Sequence, residues 1–211
     1  MKSEPAPAKR RYNSSRRTMQ AAQTKAAILE AAQAAFAETG WAGTTLSALA
    51  ERAGVAVETI YSTFGSKKAL LRAALDVAIV GDAEPVPLID RDVFHQLGVG
   101  TPKERIKKGV ALAIDIHERS AGIWQAVLEA SASDPEIDAW RREADAARRI
   151  DLGKSLTKVF DRPVEGADLE VLWILFGAEA YLRLRLDAGM SRKAYEAALT
   201  SATLRILGVS V

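Results

Sequence analysis

Residues 45–64 read TLSALAERAGVAVETIYSTF and predict two short helices joined by a tight turn. Gly54 lies between them and can take the positive φ that a sharp turn needs. We expect Leu49, Ala50, Val55 and Ile60 to form a small core that sets the angle between the two helices. Ala50 has to be small because the second helix crosses closely there. A longer helix precedes the pair, so the order matches the helix-turn-helix pattern.

The outer face of the second helix is left free by this packing. Such a face can enter the major groove of DNA, and it would carry Val57, Glu58, Thr59, Ser62 and Thr63. An ordinary helical hairpin remains the alternative, because pairs of packed helices are common in helical proteins.

Helical spacing continues along most of the chain, because apolar residues recur every three or four positions and strand-like alternation is absent. The pattern predicts an all-α fold in which residues 81–101 are irregular and contain one or two helical turns. The run Thr101-Pro102-Lys103-Glu104 is a strong helix start. The predicted helices span 18–39, 45–52, 56–64, 66–79, 101–119, 123–131, 135–160, 167–188 and 191–207, with a break at Ser120–Gly122.

Composition excludes several kinds of site. The 211 residues include no cysteine and two histidines, so a disulfide framework, a thiol nucleophile and a cysteine or three-histidine zinc site cannot be built from one chain. No metal and no cofactor is predicted. No apolar run approaches the ~20 residues that cross a bilayer, and the charged N-terminus does not resemble a signal peptide. We expect a cytoplasmic protein with no membrane partner.

Charge is distributed unevenly. Residues 1–80 carry 11 Lys and Arg against 6 Asp and Glu, a formal charge of +5, whereas residues 81–211 carry −3. Residues 1–17 are rich in Pro, Ser, Lys and Arg, so they are predicted to form a disordered basic arm. Such an arm suggests a polyanion partner, and a solvated tail is the alternative. Its candidate DNA contacts include Arg16 and Arg17.

Three stretches of this sequence resemble the TetR family of transcriptional repressors. They are YSTFGSKKALL at residues 61–71, AERAGV at 50–55, and residues 31–40 followed by Thr44-Thr45. The resemblance covers about residues 20–75. It implies a helix-turn-helix DNA-binding domain at residues 18–80 and a larger helical ligand-sensing and dimerisation domain at residues 81–211.

The resemblance also implies roles for single positions. Thr45, Tyr61 and Lys67 match family positions near DNA phosphates. The positions that read base edges in the family match Val57, Glu58 and Thr59, and positions that often contact the DNA backbone match Ser62 and Thr63. The complete predicted DNA-binding set is Thr44, Thr45, Ser47, Val57, Glu58, Thr59, Tyr61, Ser62, Thr63, Lys67, Arg16 and Arg17. Two positions depart from the family pattern, since Ala56 replaces a Ser or Thr and Thr63 replaces a His or basic residue. Glu58 either accepts a hydrogen bond from a cytosine or points to solvent.

Two further sets are predicted in the second half of the chain. The segment Leu169–Leu186 is apolar around most of its circumference, which indicates burial on more than one side. A partner chain would cover one side, with an intrachain core as the alternative. The predicted homodimer interface comprises Leu172, Phe176, Leu182, Leu199 and Leu207. The family architecture implies a cavity for an apolar or aromatic small-molecule effector, with candidate lining residues Leu112, Ile116, His117, Trp124, Leu128, Trp140 and Phe160.

The predicted function is that of a DNA-binding transcriptional regulator. It would be a ligand-responsive repressor that acts as a homodimer on a palindromic double-stranded DNA operator. A helical protein-binding adaptor is the alternative. No motif of a hydrolytic triad, phosphate loop or metal site occurs, so the chain is not expected to be an enzyme.

Overall fold

The computed structural model describes residues 9–82, 84 and 86–208, with side chains from residue 16 onward. Regular structure within these residues is helical, as predicted, and they contain no strand. Turns of 3-10 helix at Leu88–Asp90 and Gln96–Gly98 flank α5, and a π-helical segment at Leu182–Asp187 follows α9. The α-helices are α1 Lys9–Gly43, α2 Leu46–Ala53, α3 Val57–Phe64, α4 Lys67–Val80, α5 Asp92–His95, α6 Pro102–Ser131, α7 Pro135–Phe160, α8 Gly166–Leu175, α9 Ala178–Tyr181 and α10 Arg192–Ile206.

Side-chain caps start the helices where the sequence predicts. An oxygen of each capping residue accepts a backbone N–H from the first turn of α2, α4, α6, α7 or α10, which satisfies a donor that has no partner within the helix. The caps are Thr45, Ser66, Thr101, Asp134 and Ser191. These caps explain why the predicted helix starts agree with the structure more closely than the predicted breaks do.

The first helix begins earlier than predicted. Residues 9–17 belong to α1, so the prediction of a disordered arm is wrong for them, while residues 1–8 lie outside the described part of the chain. Lys and Arg favour helix, and no proline or glycine follows Pro7 until Gly40. Arg16 and Arg17 are exposed on this extension. The basic residues are therefore presented by a helix.

The predicted break at Ser120–Gly122 is wrong, because α6 runs without interruption from Pro102 to Ser131. Gly122 serves a close helix contact instead of a turn. A Cβ built there would lie 2.9 Å from the Cβ of Ala37 on α1, which is closer than real Cβ atoms approach. The missing side chain allows α1 and α6 to pack together.

The helix predicted over residues 167–188 is interrupted. Gly177, whose backbone is extended with φ −88° and ψ 155°, separates α8 from α9. Glycine is a poor helix former, and a Cβ at Gly177 would lie 3.0 Å from the carbonyl oxygen of Ile174. The interruption leaves the carbonyl of Phe176 available to side chains from other helices.

Helix α6 contributes to two large apolar clusters. One joins the apolar faces of α1 to α4 to the second half of α6, where Ile123 and Trp124 are buried. The other gathers the first half of α6 around Tyr181 and Tyr195. The predicted boundary near residue 80 coincides with the end of α4 at Gly81, but the core is continuous across it because α6 belongs to both clusters.

Candidate nucleic-acid interface and effector cavity

The turn between α2 and α3 is rigidly defined. Gly54 adopts the left-handed conformation, with φ 66° and ψ 34°, and the N–H of Val55 donates to the carbonyl of Ala50 at 2.9 Å. Leu49, Ala50 and Ile60 are buried beneath the turn. The expected small core is therefore present, and it fixes the orientation of α3 relative to α2.

An exposed polar face runs along α3. Glu58, Tyr61, Ser62 and Thr63 are exposed, and Tyr61 keeps 53% of its surface accessible. The hydroxyls of Ser62 and Thr63 donate to the carbonyl of Thr59, at 3.1 and 2.7 Å. Their oxygens remain available as acceptors. The structure thus brings these predicted contact residues onto one accessible surface.

The two remaining residues predicted to contact bases are less accessible. Val57 and Thr59 are half-buried, and Val57 packs against the core of the helix-turn-helix. Ala56 precedes α3 without a side-chain cap, as its missing hydroxyl implies. Glu58 lies in the first turn of α3, where its negative charge interacts favourably with the positive end of the helix dipole.

Two adjacent threonines precede α2 and have different roles. Thr45 is exposed and accepts the N–H of Ala48 at 3.1 Å, and Ser47 is exposed beside it. Thr44 keeps only 3% of its surface, and its hydroxyl donates to the carbonyl of Gly40 at 2.7 Å. The prediction that Thr44 contacts DNA is wrong, because its side chain is enclosed within the α1–α2 junction.

Lys67 begins α4 and turns toward the α1–α2 junction. Its ammonium donates to the carbonyl of Trp41 and lies 4.0 Å from the centroid of that indole ring. Burial lowers the pKa of Lys67, while the nearby carboxylate of Glu129 raises it. Lys67 is therefore engaged within the protein, whereas the sequence pattern predicts a phosphate contact.

Glu129 is a residue that the sequence pattern did not identify. Its carboxylate, on α6, accepts the backbone N–H groups of Trp41 at 2.7 Å and Ala42 at 3.1 Å. Lys68 on α4 forms ion pairs with Asp134 at 2.7 Å and Glu136 at 2.9 Å, at the start of α7. Nothing local predicts these contacts, because the partners lie far apart in the sequence.

A cavity of about 610 Å³ lies among α4, α6, α7 and the segment around α5. Most of its lining is aliphatic or aromatic. Of the predicted lining residues, Leu112, Ile116, His117, Trp124, Trp140 and Phe160 lie in its wall. Leu128 does not, because it packs against the cluster that contains the helix-turn-helix.

His117 joins the cavity wall to the α8–α9 interruption. Its Nε2 lies 3.0 Å from the carbonyl oxygen of Phe176, and its Nδ1 is buried without a hydrogen-bond partner. Burial lowers the pKa of His117 to about 4, and the charge of Arg148 lowers it further against the opposing effects of the Phe176 carbonyl and Glu179. The imidazole is therefore neutral at pH 7.

The helix that follows the helix-turn-helix contributes one side of the cavity. Arg72 and Asp76 of α4 lie in the lining, and the guanidinium of Arg72 stands 5.6 Å from the ring centroid of Trp140 on α7. Burial raises the pKa of Asp76, and the charge of Arg72 opposes that rise. A molecule in the cavity would touch α4 directly.

The predicted dimer residues divide into two groups. Leu172, Leu199 and Leu207 are buried against the chain's own core, so the prediction that they meet a partner chain is wrong for them. Phe176 and Leu182 are half-buried. The large exposed apolar residues of this region are Val171, Ile174 and Leu186, at 48, 58 and 61% exposure. Composition alone does not distinguish the inward side of an all-apolar helix from its outward side.

The geometry of α1 to α4 defines a helix-turn-helix, and comparison with known sequences shows what this segment resembles. Residues 28–74 match the model of the tetR family of bacterial regulatory proteins. A segment of 62 residues is 50% identical to the HTH-type transcriptional regulator TtgR of Pseudomonas putida. That segment covers 29% of this chain and 30% of the relative's length. The similarity to the TetR family therefore lies in this N-terminal segment.

Solved structures share the fold over most of the chain. A transcriptional regulator from Rhodococcus sp. Rha1 aligns with a TM-score of 0.63 and 18% identity, over 89% of this chain and 98% of that one. A proposed TetR-family regulator from Rhodococcus sp. aligns with a TM-score of 0.68 and 17% identity, over 88% and 98% of the two chains. These likenesses show the all-α architecture that the sequence predicts.

The part of the chain that the structure describes contains no group of three His, Asp or Glu residues placed to hold a metal ion. No helix in the described ranges is long and apolar enough to cross a membrane.

Proposed function

We propose that this chain is a DNA-binding transcriptional regulator that acts as a homodimer on a palindromic operator and responds to a small molecule. The observation that carries the proposal is the exposed polar face of α3, held on a rigid α2–α3 core within a TetR-family domain. A repressor is the usual form of such a regulator, and it would work in the cytoplasm. The adaptor alternative does not account for this DNA-facing geometry.

The base-reading and phosphate-binding roles follow from the accessible residues. Glu58, Tyr61, Ser62 and Thr63 would meet the major groove and its flanking phosphates, with Thr45 and Ser47 at the adjoining end of α2. The face of α3 carries no basic side chain, so other residues must supply the positive charge that binds DNA phosphates. Arg16 and Arg17, exposed on the extended α1, are the proposed contributors.

Dimerisation would use the exposed apolar surface that includes Val171, Ile174 and Leu186, with the half-buried Phe176 and Leu182 beside it. Exposed apolar clusters of this kind mark interaction sites, and a two-fold dimer would present two α3 helices to two half-sites. Sedimentation velocity tests this surface. Ile174→Asp should yield a monomer, whereas the equally exposed but distant Val99→Asp should remain a dimer. A dimeric Ile174→Asp chain would contradict the proposed surface.

Helix α4 would couple effector binding to DNA binding. This helix forms part of the cavity wall, and Arg119 on α6 holds its C-terminal end by donating to the carbonyls of Ala78 at 3.0 Å and Ile79 at 3.3 Å. A molecule that favours one position of α4 would shift the spacing of the two α3 helices. The shift is limited to the difference in its affinity for the two conformations.

A fluorescence-anisotropy titration tests DNA binding. The probe is the duplex directly upstream of the gene, and a scrambled duplex of equal composition is the competitor. The proposal predicts salt-sensitive binding that the scrambled duplex displaces poorly. Tyr61→Ala should weaken binding at least tenfold, and the control Val99→Ala should leave it unchanged. Binding that shows no preference for any natural duplex would favour the adaptor.

A further inference from the structure

Arg72 on α4 is a cation in the cavity wall whose N–H donors have no partner. It is exposed and lies in the lining, and among the described residues it forms no hydrogen bond and no ion pair. Its guanidinium instead stands over the ring of Trp140, with Cζ 5.6 Å from the ring centroid. An arginine is charged at neutral pH and has five N–H donors, which contact with a ring face leaves free to bind an acceptor.

Arg148, the second guanidinium in the lining, is engaged by the chain itself. It donates to the carbonyl of Trp173 at 3.0 Å, pairs with Asp145 at 3.5 Å and lies 5.1 Å from the ring centroid of Trp173. A ligand would have to displace these contacts to reach it. Arg72 is therefore the cation that the described lining offers to a ligand.

Two of the four carboxyl groups in the lining have partners of their own. Glu179 accepts the N–H of Nε1 of Trp124 at 3.0 Å, and Asp151 pairs with Lys154 at 3.0 Å. The negative charge of these two groups is thus already compensated within the chain.

The other two carboxyl groups, Asp76 and Glu143, leave Arg72 unpaired. Asp76 lies one turn beyond Arg72 on α4, and their opposite charges attract, but the two groups do not come within ion-pair distance. Glu143 is exposed on α7. Both would repel an anion at longer range, so an anionic group gains from this wall only by direct contact with the guanidinium. Such contact is favourable because a carboxylate can accept two parallel N–H bonds from an arginine.

We infer that the effector is an apolar molecule that carries one carboxylate, and that Arg72 binds this carboxylate. The apolar body would lie against the aliphatic and aromatic wall, which includes Leu75, Ile79 and Trp124. The charged group would then be held by α4, the helix that directly follows the helix-turn-helix. This inference rests on the proposal that the cavity is the effector site. It adds the ligand's charged group and the residue that binds it.

Calorimetric titration at neutral pH with three biphenyls of matched size tests the inference. They are biphenyl-4-carboxylate, the uncharged biphenyl-4-carboxamide and the cationic 4-(aminomethyl)biphenyl. The carboxylate should bind about fivefold more tightly than the carboxamide, a modest factor because Arg72 remains in contact with solvent, and the amine should bind weakest. Equal or tighter binding of the carboxamide or the amine, or no binding of the carboxylate, would overturn the inference.

Variants of Arg72 assign the preference to this side chain. Arg72→Gln should reduce the preference for carboxylate over carboxamide to less than about twofold and keep the affinity for the carboxamide, which shows that the cavity is intact. Arg72→Lys keeps the charge without the paired donors and should give an intermediate preference. Arg142→Gln removes an exposed cation of α7 that lies outside the lining, and it should retain the full preference. A preference that survives in Arg72→Gln would overturn the inference.

DNA binding is measured separately, by the anisotropy titration described above. A chain that binds its operator but shows no preference for the carboxylate would contradict only the ligand assignment. A chain that binds the carboxylate through Arg72 but prefers no duplex would contradict only the proposed function.

Discussion

The carboxylate of Glu129 on α6 accepts the backbone N–H of Trp41 at 2.7 Å, immediately after α1 bends at Gly40. The same carboxylate accepts the N–H of Ala42, so one side chain satisfies two donors at the α1–α2 junction. Gly40 leaves the necessary space, because a Cβ there would lie 2.5 Å from an oxygen of Glu129. Through Glu129, α6, which lines the cavity, thus holds the α1–α2 junction that precedes the helix-turn-helix.

Removal of this contact should loosen the helix-turn-helix. Glu129→Ala leaves two backbone donors without their carboxylate partner, and we expect the free energy of unfolding to fall by about 1–3 kcal/mol. Urea denaturation followed by circular dichroism measures the change. Gln125→Ala, at an exposed position on the same helix, is the control and should shift stability by less than about 0.5 kcal/mol. Equal effects of the two variants would show that the contact contributes nothing.

Gly122→Ala tests the close approach of α6 to α1. The added methyl group would come within 2.9 Å of the Cβ of Ala37 and 3.2 Å of its Cα, so we expect a loss of about 1–3 kcal/mol from overpacking. Gly109→Ala is a matched control on the same helix, because its Cβ would lie 3.7 Å from Val159. That variant should be neutral or stabilised by up to about 1 kcal/mol. A Gly122→Ala chain as stable as the Gly109→Ala chain would contradict the described packing.

Stability should decrease in mild acid because of His117. Its pKa is about 4 in the folded chain against 6.5 for an ordinary histidine, so only the unfolded chain takes up this proton between those values. Stability from this group is complete above pH 6.5 and falls as the pH drops toward 4, by up to about 3 kcal/mol. Urea midpoints at pH 7.5, 5.5 and 4.5 measure it. His117→Leu should flatten the dependence and His95→Gln should not, and a steep profile that survives His117→Leu would refute the assignment.

The helix-turn-helix was predictable because its signals are local. Gly54 must adopt positive φ, Thr45 and Ser66 cap their helices through neighbouring N–H groups, and Leu49 on α2 and Ile60 on α3 pack beneath the turn. These interactions join residues within about one turn or one hairpin. They can therefore be predicted from the sequence without knowledge of the tertiary fold.

The rest depends on distant partners. Lys67 turns toward Trp41, 26 residues away, and Glu129 reaches the same residue across 88 positions. The sequence predicts a break at Gly122, because a glycine that permits close packing cannot be distinguished in sequence from one that ends a helix. It predicts a partner contact for Leu172, because an all-apolar helix does not reveal which side faces its own core. Six residues of the cavity wall are predicted through the family resemblance, but the contact of His117 with the carbonyl of Phe176 is not, because it depends on the interruption between α8 and α9.

The basic face of the extended α1 should contribute to operator affinity through phosphate contacts. Arg16→Gln/Arg17→Gln removes two exposed charges, so the slope of log affinity against log salt should become shallower by about 1–2. The double variant Arg142→Gln/Lys154→Gln removes equal charge from α7 and should leave the slope within about 0.5 of the original. Anisotropy titrations between 50 and 200 mM salt, the interval over which phosphate contacts change affinity by orders of magnitude, measure the slopes. Equal slopes for the two double variants would exclude the α1 contacts.

Selection of bound duplexes from a random-sequence pool tests whether α3 of a dimer reads a specific operator. We expect enrichment of a two-fold symmetric motif whose half-sites lie about one helical turn apart. The motif should be bound by a dimer, and Tyr61→Ala should abolish its enrichment while Val99→Ala preserves it. Failure of the unmodified dimer to enrich any sequence across the salt range would contradict specific reading by α3.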